Sequence, residues 1–94
     1  MNFRIVWLSA AEQALGAAFL AARAVGEVRA FNVAVRQAEA ALTDDPEQAG
    51  ESRTVGTGER LLVVPPAVIE FEVFPLDRVA VVSHVRYASL RRHT

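Results

Sequence analysis

Ninety-four residues, 52% hydrophobic and 22% charged, exclude both a disordered tail and a multidomain protein and leave one small globular domain. A formal net charge of −1 argues against a generic coat for nucleic acid, and the absence of cysteine excludes disulfides and thiolate metal sites. That composition suits a cytoplasmic protein. No segment offers the roughly 20 apolar residues of a membrane-spanning helix, and Glu12 and Gln13 interrupt the apolar N-terminus, so neither a membrane nor an export signal is expected.

Residues 2–8, NFRIVWL, predict a first strand with Phe3, Ile5 and Trp7 on one face. Ser9-Ala10-Ala11-Glu12 fits a capping box, in which the serine oxygen and the glutamate satisfy early backbone N–H groups. Leu15, Ala18, Phe19 and Ala22 follow at helical spacing, so the first helix is expected to reach about Val25 and to break at Gly26. Val28, Phe31, Val35, Ala38 and Leu42 form the apolar stripe of a second helix. Pro46 disfavours helix at Asp45 and ends it. So short a connection between the two implies an antiparallel helical hairpin.

A polar connection over 44–59 comes next, with a short extended piece expected around Arg53–Val55. Arg60–Val64 then reads as a strand, turned by Val64-Pro65-Pro66-Ala67, because proline cannot donate to a central ladder. Val68–Phe74 alternates, with Ile69, Phe71 and Val73 on one face and Glu70 and Glu72 on the other. Val79–Tyr87 is the last strand. Strict alternation puts Val79, Val81, Ser83, Val85 and Tyr87 on one face and Ala80, Val82, His84 and Arg86 on the other. Residues 88–94 read as a loose basic tail. The order β-α-α-β-β-β defines a single α+β domain over 1–94: a small, largely antiparallel sheet with a helical hairpin packed on one face.

Charge is uneven along the chain. Residues 1–77 hold six arginines against eleven acids, whereas 78–94 hold Arg78, Arg86, Arg91 and Arg92 and no acid. Every basic residue is arginine. A planar guanidinium suits bidentate contact with phosphate or carboxylate, but a general compositional bias toward arginine is the better explanation of the pattern.

Four stretches recur together in a known order. They are IVWLSAAEQAL, a strand running into a helix; AALTDDPEQAG, a helix ending in Leu42-x-x-Asp45-Pro46 with Gly50 after it; GERLLVV, an arginine opening a strand; and VAVVSHVRYAS, a last strand with a basic and aromatic ending. From Asn2 to Tyr87 the chain resembles the RelE/ParE superfamily of type II toxin–antitoxin toxins. The resemblance implies a toxin made beside a cognate antitoxin that wraps and silences it. RelE-like members cleave mRNA in the ribosomal A site without a metal; ParE-like members poison DNA gyrase. The resemblance therefore implies the ribosome and mRNA as further partners in one case and gyrase in the other, with a degenerate antitoxin-binding member as a third possibility. It implies no cofactor.

RNA cleavage through the 2′-hydroxyl needs a base, a cation for the phosphorane and an acid for the leaving oxygen. By resemblance, Arg60 takes the phosphate role, since the family carries a functional arginine where that strand opens; the plainer alternative is a surface pair with Glu70 or Glu72. Arg53 is a second RNA-binding candidate, or else a solvated loop arginine. His84 and Arg86 share a face two residues apart, and histidine can pass protons near neutral pH. Tyr87 matches an aromatic that several nuclease members use, although alternation turns it toward the helices. Arg60, His84 and Arg86 are thus expected to line one groove on the open sheet face. Glu70 and Glu72 supply either a general base or a solvated face. A pI near 6.1 and the absence of lysine depart from the strongly basic nuclease pattern. Gly56-Thr57-Gly58 lacks the Gly-Lys-Ser/Thr that would follow in a phosphate loop. His84 and His93 are too few for a metal site.

Overall fold

A computed structural model describes residues 2–52 and 58–89. Its elements run β1 (Arg4–Trp7), α1 (Ser9–Ala24), α2 (Val28–Asp44), β2 (Glu51–Ser52), β3 (Glu59–Val64), β4 (Ala67–Phe74), a 3-10 turn (Pro75–Asp77) and β5 (Val79–Tyr87). They form the expected α+β domain, with one extra short strand, β2. The five strands lie in the order β1-β5-β4-β3-β2. β1 runs parallel to β5 and every other pairing is antiparallel.

The capping box expected at Ser9 does not form. Leu8 is the cap residue and no side chain assists it. Its carbonyl already accepts from Glu12 N–H at 3.0 Å, while its own N–H donates to Val82 O at 3.1 Å. The chain therefore passes from sheet to helix one residue before the serine could cap it. Ala11, Ala18 and Ala22 are the buried residues of α1, and their short side chains let the helix lie close on β5. Gly16 sits mid-helix, where glycine is about 1 kcal/mol less favourable than alanine.

α2 buries Phe31, Ala34, Ala38 and Leu42, one face of a 3.6-residue helix. It ends at Asp45, before Pro46, as expected, and Phe3 N–H donates to Thr43 O at 2.8 Å, which ties this end to the entry of β1. Phe31 and Leu42 pack with Ile69, Phe71, Val73 and Val85 of the sheet, with Leu15, Phe19 and Val35 half-buried around them. The predicted hairpin-on-sheet core is therefore present.

β5 departs from strict alternation. Glu70 pairs with His84 and Phe71 with Val82, so Ser83 is an extra residue, a bulge. Ser83 and His84 are both exposed, and the faces exchange at that point. Ala80 and Val82 are buried with Val85, whereas Val79 and Val81 pair with Phe74 and Glu72 on the open side. The expected faces hold for Val85, Arg86 and Tyr87 and are reversed for Val79–Val82. The burial of Ala80 and Val82 against α1 outweighs the lost ladder regularity.

Glu51–Ser52 in the polar connection pairs with Leu61 and Arg60; the extended piece expected around Arg53–Val55, with Gly56 and Thr57, lies outside the described residues. At the other end, Ala88 and Ser89 are tethered rather than loose: Ala88 N–H donates to Pro66 O at 2.8 Å and the Ser89 hydroxyl donates to Glu27 at 3.4 Å. Residues 90–94 lie outside the described residues.

Candidate functional site

The β3–β4 register decides what the sheet can present. Arg60 pairs with Phe71, whose side chain is buried against the helices, while Glu59 pairs with Glu72 and Leu61 with Glu70. Paired residues share a face, so Arg60 is on the helix side and the glutamates are on the open side. Its guanidinium donates from Nε to Ala49 O at 2.8 Å and from Nη2 to Gly50 O at 2.9 Å. The fork thus holds the segment that follows α2 against β3. Gly50 lies there because its φ is +66° and a Cβ would run into the Leu61 carbonyl.

The expected groove of Arg60, His84 and Arg86 is therefore not formed. His84 and Arg86 do share the open face and are both exposed, at the positions opposite Glu70 and Val68. Arg60 is across the sheet from them, with its guanidinium bonded to the Ala49 and Gly50 carbonyls. Arg53 lies outside the described residues. Tyr87 faces the helices: its ring meets Phe31 edge-on with centroids 6.2 Å apart, and its hydroxyl donates to Glu27 at 2.6 Å.

What the open face does gather is acidic. Glu59, Glu70 and Glu72 line a hollow of about 180 Å³ together with Leu8, Arg60, Phe71, Val81 and Ser83. The Ser83 hydroxyl donates to Glu70 O at 3.2 Å, across the bulge. Among the described residues no cluster of three or more metal-ligating side chains occurs, and no helix is long and apolar enough to cross a membrane.

The larger concavity is elsewhere. Between α1 and α2 runs a groove of about 700 Å³, with Trp7 and Phe31 deep in it and Leu15, Phe19 and Val35 along it. Gly16 and Asn32 line it too, and Glu12, Arg36 and Glu39 give it charge. Sequence reasoning singled out neither this groove nor Glu27. A glycine inside an otherwise alanine-rich helix was the available signal for the groove. An acid just after Gly26 was the signal for Glu27.

No protein-family model matches the chain, nor does any curated protein. Among solved structures it is similar to a chain of the "Chromosomal ParDE TA system from P. aeruginosa", with a TM-score of 0.67 and 15% identity. The likeness covers 94% of this chain and 98% of that one. At that identity it is a likeness of fold, and it is the RelE/ParE-like fold that the sequence predicts.

Proposed function

We propose that this chain is the toxin subunit of a type II toxin–antitoxin pair, and that it acts in the ParE manner, by binding DNA gyrase, rather than by cutting RNA. The toxin reading is supported by a fold shared over nearly the whole chain with a member of a ParDE system. The choice of mode rests on one observation. Arg60, the cation an RNA-cleaving site would need beside His84 and Arg86, is on the opposite side of the sheet with its guanidinium bonded to Ala49 and Gly50. Tyr87, the reserve proton donor, is bonded to Glu27. A cognate antitoxin is the first partner in this reading, and both proteins meet in the cytoplasm.

A second reading, a ribosome-dependent endoribonuclease, is favoured by the exposed His84 and Arg86 on one face. There His84 would take the 2′-hydroxyl proton and Arg86 would stabilise the phosphorane, with the ribosome supplying the positioning that two residues cannot. The test is purified protein in a gyrase supercoiling assay alongside toeprinting of translating ribosomes. Blocked supercoiling with intact mRNA is the expected result, unchanged in His84→Ala and Arg86→Ala. Cleaved mRNA that both substitutions abolish would replace gyrase with the ribosome. Expression without growth arrest, in a host related to its source, would remove the toxin reading.

A further inference from the structure

The two outer strands of the sheet end it differently. β2 is two residues long and carries Glu51, and short, charged edge strands resist pairing with another chain. β1 has none of the usual protections. It holds no proline, its ladder to β5 runs without a register shift, and its one charge, Arg4, stands at its end. Arg4 N–H donates to Arg78 O at 2.9 Å and Leu8 N–H to Val82 O at 3.1 Å. In a parallel ladder Arg4, Val6 and Leu8 therefore turn their backbone groups toward β5, and Ile5 and Trp7 turn theirs away from the sheet. Among the described residues the N–H and C=O groups of Ile5 and Trp7 have no hydrogen-bond partner.

This free edge has defined ends. The next outward donor, Phe3 N–H, is bonded to Thr43 O at 2.8 Å, and Ser9 opens α1. What remains is Ile5–Trp7, whose side chains are all half-buried and apolar.

We infer that a second copy of this chain pairs with β1 antiparallel, about a two-fold axis at Val6, and joins two sheets edge to edge. Register selects the occupant. With the axis at Val6, Ile5 exchanges both backbone bonds with the partner's Trp7, and Trp7 does so with the partner's Ile5. All four free groups of each copy are then used. An axis at Ile5 would set Trp7 against the partner's Phe3, whose N–H is already bonded to Thr43. An axis at Trp7 would set Ile5 against the partner's Ser9, which is helical. Side chains agree with the Val6 register. Ile5 and the partner's Trp7 form a β-branched–aromatic pair, Val6 meets its own copy, and Arg4 faces the partner's Leu8, so no like charges are opposed. Leu8, 46% exposed, gains cover from the arginine stem. Neither the register nor the occupant depends on the toxin reading.

Three residues per copy make a small interface, so sedimentation velocity of the full chain from about 10 μM to about 1 mM should show the mass doubling within that range. Trp7 is the only tryptophan, and its emission should shift to shorter wavelength over the same range. Amide exchange at the two ends of the range identifies the edge: Ile5 and Trp7 should gain at least about tenfold protection as the dimer fills. Val6→Lys sets two ammonium groups against each other at the axis and should weaken association at least about tenfold. Val6→Thr, β-branched and uncharged, should keep it. A monomer throughout the range overturns the inference, as does a dimer whose Ile5 and Trp7 amides gain no protection. So does a dimer that Val6→Lys, still folded by circular dichroism, leaves intact.

Discussion

Tyr87 donates a 2.6 Å hydrogen bond to Glu27, joining the end of the last strand to the turn between the helices across 60 positions of sequence. The Ser89 hydroxyl donates to the other oxygen of the same carboxylate, and Phe31 lies edge-on against the tyrosine ring. Glu27 occupies the cap position of α2, where the positive end of the helix dipole favours an acid. One side chain thereby holds the helical hairpin and the C-terminal end of β5 in register.

Removing the hydroxyl alone tests that clamp. Tyr87→Phe keeps the ring on Phe31 and leaves the carboxylate short of a donor. A hydrogen bond to a charged group contributes about 1.5–3 kcal/mol, so a loss of that order is expected as a lower urea midpoint with an unchanged m-value. An unaltered midpoint would mean the bond contributes nothing to the fold.

Phe31 is fully buried where α2 meets the sheet. Phe31→Ala should destabilise by about 3–5 kcal/mol, through lost burial and the cavity left behind. That is a large fraction of the total for so small a domain. Thermal unfolding at the wild-type temperature would remove Phe31 from the core.

Two glycines with left-handed backbone should respond differently to alanine. Gly26 has φ +75° and open space around a Cβ, so Gly26→Ala meets only the backbone penalty, about 1 kcal/mol. Gly50 has φ +66° and the Leu61 backbone in the way, so Gly50→Ala adds a clash with main chain that cannot step aside. Denaturant titration should rank Gly50→Ala well below Gly26→Ala; equal midpoints would contradict the close approach of β3.

Arg60 is a structural residue in this arrangement. Arg60→Ala removes both donors to the Ala49 and Gly50 carbonyls and should lower stability by about 1–3 kcal/mol. Faster amide exchange at Glu51 and Ser52 should accompany the loss. Arg60→Lys should recover part of it, since one ammonium cannot reproduce the fork. If Arg60→Ala keeps full stability and yet abolishes an RNA cleavage activity, the residue belongs to a site and not to the fold.

The elements were legible in the sequence because each carries its own local signal. Pro46 ends α2, Pro65-Pro66 turns β3 into β4, and the helical and alternating periods of Val28–Leu42 and Ile69–Val73 report directly which side is buried. The candidate site was not legible, for reasons that are equally local. Leu61–Val64 is apolar throughout, so it has no period to reveal which face Arg60 takes, and a shift of one residue reverses every face. Only pairing with β4 set Arg60 against Phe71. The bulge at Ser83 is likewise invisible in a run of valines, because it arises from fitting β5 to β4 and α1 together. The Glu27–Tyr87 bond and the groove beside Gly16 join residues from separate elements, and no periodicity within one element encodes a contact with another. The sequence alone determined the two helices and the four longer strands; the short strand β2 and which side chains meet were decided by tertiary packing, where register and burial across elements are resolved at once.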